Sequence, residues 1–184
     1  MMAIKRRERM ADFFICENSS SRSSENSPGA QSESLVWNKI MNAFHSRDAI
    51  ACWHFPLFSQ IGQHFREPDI LIFDRQLGAI VIEVKGISID NIKFCQGHQW
   101  HMEEYYQEVI SPYNQAMDQL VNLLSIVERD KLLFRKVAGR ILIALLQITE
   151  QEWEQSELAN QVAPTPIIFG DKRINLQSTT LQKP

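Results

Sequence analysis

Two carboxylates and an ammonium stand in the most apolar stretch of the chain, "REPDILIFDRQLGAIVIEVKG" from Arg66 to Gly86. Asp69 lies near one end of it, and Glu83 and Lys85 lie near the other. Ile, Val and Leu crowd the space between, as they do in strands covered on both faces. Desolvating charge in such a place is expensive, so these three positions need a chemical reason.

A hairpin turning at Gln76 supplies one. Asp69 and Glu83 are then equidistant from the turn and face each other, with Cβ atoms about 4.5–5.5 Å apart. Carboxylates that close repel unless a proton or a cation lies between them. Lys85, two residues beyond Glu83, projects from the same face. Val84 points to the opposite face and joins Ile70, Ile72, Ile80 and Ile82 in a core. A turn centred on Leu77 pairs Asp69 with Lys85 instead and still keeps all three on one face. A half-step shift separates them, so the loop must be odd-numbered or carry a bulge. The plainer alternative is an edge hairpin whose charges merely reach solvent. Exposed edge strands alternate in polarity, however, and these do not.

Oxygen donors at close quarters favour a hard cation, Mg²⁺ or Mn²⁺, over zinc. Such an ion polarises a phosphoryl group and acidifies the water that attacks it. Asp69 and Glu83 are the expected ligands, with the Val84 carbonyl as a further one. Lys85 then orients the water or offsets charge developing on phosphate. Cys95, His98 and His101 have spacings that suggest zinc, but no fourth ligand is evident, and ordinary packing is the default.

The elements that must hold these groups can be read in outline. Residues 1–31 combine a basic arm with the Ser-rich "ENSSSRSSENSPGAQS" and are expected to be disordered. Ser32 is a plausible cap for a helix whose stripe is Val36, Ile40, Ala43 and Phe44. Glu33 borders that stripe in the first turn; if the helix packs on the sheet, Glu33 can hold a second ion or a water. "AIACWHFPLF" reads as a strand, and residues 92–102 as short strands about Gly97. "SPYNQAMDQLVNLLSIVERDKL" is strongly helical in period, with Pro112 in its first turn and Gln119 expected at the surface. "GRILIALLQI" is another buried strand, "EQEWEQSELA" a short acidic helix, and "APTPIIFGD" an edge strand. The ordered domain is expected over 32–176, with 177–184 as a tail.

The chain has 184 residues and a formal net charge of −3, which gives no electrostatic case for wholesale nucleic-acid binding. Any such contact needs a local patch, for which Arg66, Lys93, Arg135, Lys136 and Arg140 are candidates. Three unpatterned cysteines suit a reducing cytoplasm better than a disulfide framework. No apolar run approaches membrane-spanning length, and no membrane partner is expected.

Four elements in order then point to a family. Pro68–Asp69 followed by "EVK" at Glu83–Lys85 resembles the PD-(D/E)xK nuclease signature. More narrowly, Glu33 in "SESLVW", Asp69 in "EPDILIF", "IEVKG" at Ile82–Gly86 and "SPYNQA" at Ser111–Ala116 resemble the nuclease-related domain (NERD) family. Ser111 stands where that family usually has Asn. The resemblance makes Gln115 the family's glutamine, able to orient Lys85 or a phosphate, and Trp100 a packing residue. It implies an α/β fold with a restriction-endonuclease-like core, a mixed sheet flanked by helices. It also implies Mg²⁺-dependent hydrolysis of DNA, sometimes by a module working with a helicase. The expected function is therefore a deoxyribonuclease with Asp69, Glu83, Lys85, Glu33 and Gln115 at its site. A catalytically silent module that binds nucleic acid or a helicase is the alternative, and an RNA-directed nuclease is a weaker third.

Overall fold

The computed structural model describes residues 10–16, 28–56, 67–102 and 110–174. Its centre is the hairpin of β3 (Ile70–Asp74) and β4 (Gly78–Val84), in which Ile70 pairs with Ile82 and Asp74 with Gly78. That register centres the turn on Gln76. Gly78 is required there: its φ is +86°, and a Cβ would lie 2.1 Å from the Ala138 carbonyl oxygen.

Four more strands complete a mixed six-stranded sheet in the order β1-β2-β3-β4-β7-β8. On one side of the hairpin, β2 (Ala49–Trp53) runs antiparallel to β3, and β1 (Asp12–Ile15) runs parallel to β2. On the other side, β7 (Gly139–Leu145) runs parallel to β4, and β8 (Ile167–Phe169) runs parallel to β7. A small hairpin of β5 (Ile92–Gln96) and β6 (Gln99–Met102) turns at Gly97, where φ is +63°.

Strand alternation divides the core in two. The face carrying Ile70, Ile72, Ile80, Ile82 and Val84 packs on helix α1 (Pro28–Phe44) through Val36, Trp37, Ile40 and Phe44. The face carrying Leu71, Ala79 and Val81 packs on α2 (Pro112–Val127) through Ala116, Leu120 and Leu123. The mixed α/β sheet flanked by helices is thus as expected. Two short helices, α3 (Glu150–Gln155) and α4 (Leu158–Gln161), follow β7, the first closed by a capping box between Thr149 and Glu152. No helix among the described residues is long and apolar enough to cross a membrane.

Two expectations about the N-terminal part need correction. Asp12–Ile15 lies inside the segment expected to be disordered, yet it is a sheet strand. Its Phe-Phe-Ile run has strong β preference and finds a partner in β2. Helix α1 starts at Pro28, four residues before Ser32, which is buried. Proline fits the first turn because the amide it lacks has no helical partner there. The basic arm at 1–9, Arg66, Glu103 and Glu104, and the tail from 175 onward lie outside the described residues.

Candidate active site

Asp69 precedes β3 by one residue and sits where the hairpin register puts it, opposite the Glu83 end of β4. Its carbonyl accepts the His54 amide at 3.1 Å, which ties it to the end of β2. Its Oδ2 accepts the Val84 amide at 2.6 Å. A residue's N–H and C=O point to the same side in an extended strand, so the Val84 carbonyl is directed to the same edge.

Glu83 is 7% exposed and shares the α2 face with Val81. The half-buried Asp69 lies beside it, and desolvation of its carboxyl together with repulsion from Glu83 pushes its pKa up to about 8. The Val84 amide and Lys85 oppose that rise, while Glu33 adds to it. Lys85 bridges the strand and the helix. Its Nζ donates to Glu83 Oε1 at 2.6 Å and to Gln115 Oε1 at 3.0 Å. Gln115 stands in the first turn of α2, after Pro112 and the Ser111 cap, whose hydroxyl accepts the Asn114 amide at 3.3 Å. Four of the five expected residues, Asp69, Glu83, Lys85 and Gln115, therefore meet at one end of the sheet.

Glu33 comes from the opposite face. It reaches this end because the start of α1 lies against the end of β4: a Cβ on Gly86 would lie 2.5 Å from the Pro28 carbonyl oxygen. Only glycine allows that approach. Glu33 is near enough to bear on the Asp69 carboxyl, but it is engaged elsewhere. Its Oε2 accepts from His54 Nε2 at 2.9 Å and from Trp53 Nε1 at 3.4 Å. The Glu33 bond raises the His54 pKa against the opposing effect of burial, with Asp69 and Glu67 adding to the rise.

The oxygen donors on offer are the Asp69 and Glu83 carboxylates and the Val84 carbonyl. Among the described residues, no three or more His, Cys, Asp or Glu side chains form a ready metal-holding group. The Cys95, His98 and His101 spacing likewise assembles nothing: His98 stacks on Tyr113 at 3.7 Å and His101 on Phe94 at 3.9 Å.

Two residues of the site were not legible from spacing. His54 has a left-handed backbone, φ 55°, which nothing in "CWHFP" signals. Gln119, expected at the surface, is 5% exposed, and its Nε2 donates to the Glu67 carbonyl at 3.2 Å. It lies one helical turn beyond Gln115, so a second polar residue on that helix edge was the available signal. Of the residues expected to form a basic patch, Arg140 lies away from the site. The Arg140 side chain donates to the Leu77 carbonyl at the hairpin turn, at the far end of the sheet. No protein-family model, curated protein or solved structure matches the chain.

Proposed function

We propose that this protein is a metal-dependent nuclease of the PD-(D/E)xK type, akin to the NERD family, that hydrolyses DNA phosphodiesters. The observation that carries the proposal is the convergence of four side chains at one sheet end: Asp69 held on the Val84 amide, and Lys85 bonded to both Glu83 and Gln115. An acidic pair whose Asp69 proton is held chiefly by burial and then by repulsion from Glu83 is a site short of positive charge, and its donors are all oxygen. That combination fits Mg²⁺ or Mn²⁺. Asp69, Glu83 and the Val84 carbonyl would hold the ion, which supplies charge at the scissile phosphate and acidity to the attacking water.

The chain's own groups do the rest. An ammonium has three donors; Lys85 gives one to Glu83 and one to Gln115, leaving one for the attacking water. Gln115 and Glu83 together fix the direction of that ammonium toward the phosphate. Glu33 with His54 forms the polar flank next to Asp69. The free thiols Cys16, Cys52 and Cys95 suit work in a reducing cytoplasm.

One observation favours the alternative, a silent module for nucleic acid or a helicase partner. Glu33 is already paired with His54, and Glu83 with Lys85, so part of the acidic charge is compensated without an ion. Cleavage of linear, circular and single-stranded DNA, with RNA alongside, separates the two in Mg²⁺ or Mn²⁺ and in chelator. The nuclease requires ion-dependent cleavage by the wild type and its loss in Glu83→Ala and Lys85→Ala at unchanged melting. Absence of cleavage by the wild type in both ions supports the silent module.

A further inference from the structure

Aromatic rings run in sequence from the outer strands to the carboxylates. Phe13 meets Trp37 edge-on at 5.9 Å, Trp37 meets Trp53 at 5.7 Å, and Trp53 stacks on His54 at 5.5 Å and 20°. Neighbouring residues of a strand point to opposite faces, so consecutive rings cannot stack while the backbone stays extended. The left-handed turn at His54, φ 55°, is what folds its imidazole back over Trp53. A non-glycine residue takes that conformation at a cost, and such outliers gather at functional sites. Trp53 is therefore flanked by rings on both sides, whereas His54 is the last plate of the series among the described residues. Its side chain is 26% exposed, next to Glu33, and its backbone is bonded to Asp69.

Among the described residues, several arginines lie at the opposite end of the sheet. Arg47 and Arg75 pair with Asp74 and Asp48, and Arg140 caps Leu77, all around the hairpin turn. Arg129 and Arg135 follow the C-terminus of α2, whose Leu120 and Leu124 lie against Gly139 at that same end. Duplex binding depends mainly on neutralising phosphates with such residues. At the Asp69 end Lys85 stands beside the carboxylates with a terminal aromatic plate next to them, while Lys39 and Lys172 lie at the β8 edge of that end.

Resting on the nuclease assignment above, we infer that the His54 ring is the stacking plate for an unpaired nucleobase next to the scissile phosphate, making single-stranded DNA the substrate class. A paired base has both faces covered by its neighbours, while an unpaired one offers a face to an aromatic ring whatever its sequence. Glu33 holds the imidazole in plane through Nε2, so the plate is fixed before the strand arrives.

The test is binding of the whole chain to a short single-stranded oligodeoxynucleotide carrying one 2-aminopurine, followed by fluorescence quenching in calcium buffer. The wild type is expected to bind and quench. His54→Phe, which keeps a plate, is expected to bind nearly as well, and His54→Ala about tenfold more weakly. A duplex of the same sequence is expected to compete poorly, and melting curves confirm that each variant is folded. The inference is overturned by absence of binding, by full affinity in His54→Ala, by a folded His54→Phe as weak as alanine, or by equal competition from duplex. The two proposals fail separately. His54-dependent binding with no cleavage in any ion removes the nuclease and leaves the plate. Cleavage with an unchanged KM for single strands in His54→Ala removes the plate and leaves the nuclease.

Discussion

Among single residues, the Asp69 carboxyl dominates the electrostatics of the site. Its native pKa is raised from 3.8 to about 8, chiefly by burial and then by Glu83. A carboxyl raised on folding contributes stability below its unfolded pKa and loses it as pH climbs through the folded one. Metal-free protein is therefore expected to lose melting temperature between about pH 4 and pH 8. Asp69→Asn should flatten that decline, and a divalent cation should offset it above pH 8. Thermal scans across pH check this; an unchanged profile in Asp69→Asn contradicts it. Asp69, Glu83 and Lys85 were legible in the sequence because a hairpin has period two and an odd-numbered turn fixes which side chains face each other. His54 was not, because its role depends on a backbone conformation that residue type does not encode. Gln119 was not, because its burial depends on the Glu67 segment lying over α2.

At the scale of elements, the approach of α1 to β4 at Gly86 decides whether Glu33 belongs to the site. Gly86→Ala puts a methyl 2.5 Å from the Pro28 carbonyl oxygen, so the start of α1 has to move. Destabilisation of about 2 kcal/mol is expected. As Glu33 withdraws, the His54 pKa should fall back toward 6.5, because the Glu33 bond is the largest cause of its rise. Imidazole titration by NMR reads this, with Glu33→Gln as the reference for complete loss; an unmoved His54 titration contradicts it. The strong periods of α2 and β7 and the turn at Gln76 could be read directly. β1 was missed because a four-residue strand amid polar sequence has too few positions to show alternation, and its order comes from pairing with β2. The start of α1 was missed because Ser32 looks like a cap, while the tertiary contact with Gly86 favours an earlier start.

At the scale of the whole molecule, two apolar layers grip one sheet and leave the chemistry to its end. Ile82 is fully buried between β3, β7 and α1, directly before Glu83. Ile82→Ala is expected to cost about 2–5 kcal/mol in denaturant unfolding. Leu132→Ser, at a position 74% exposed, should change stability by less than about 0.5 kcal/mol. Equal costs at the two positions contradict the placement of the core. The mixed architecture followed from alternating strand and helix patterns, but the insertion of β7 beside β4 did not, since pairing between distant strands leaves no local trace. The placing of charge was equally hidden: an overall balance of −3 says nothing of Arg47 and Arg75 paired with Asp74 and Asp48 at the turn, or of Asp69 and Glu83 side by side at the other end.

Whether Asp69 and Glu83 grip one divalent ion between them is read by titrating metal-free protein with Mn²⁺ and following the free ion by electron paramagnetic resonance. One ion per chain is expected for the wild type. Binding should be about tenfold or more weaker in either Asp69→Asn or Glu83→Gln, as for loss of a charged ligand. Absence of binding by the wild type, or unchanged affinity in both variants while they remain folded, would contradict the claim.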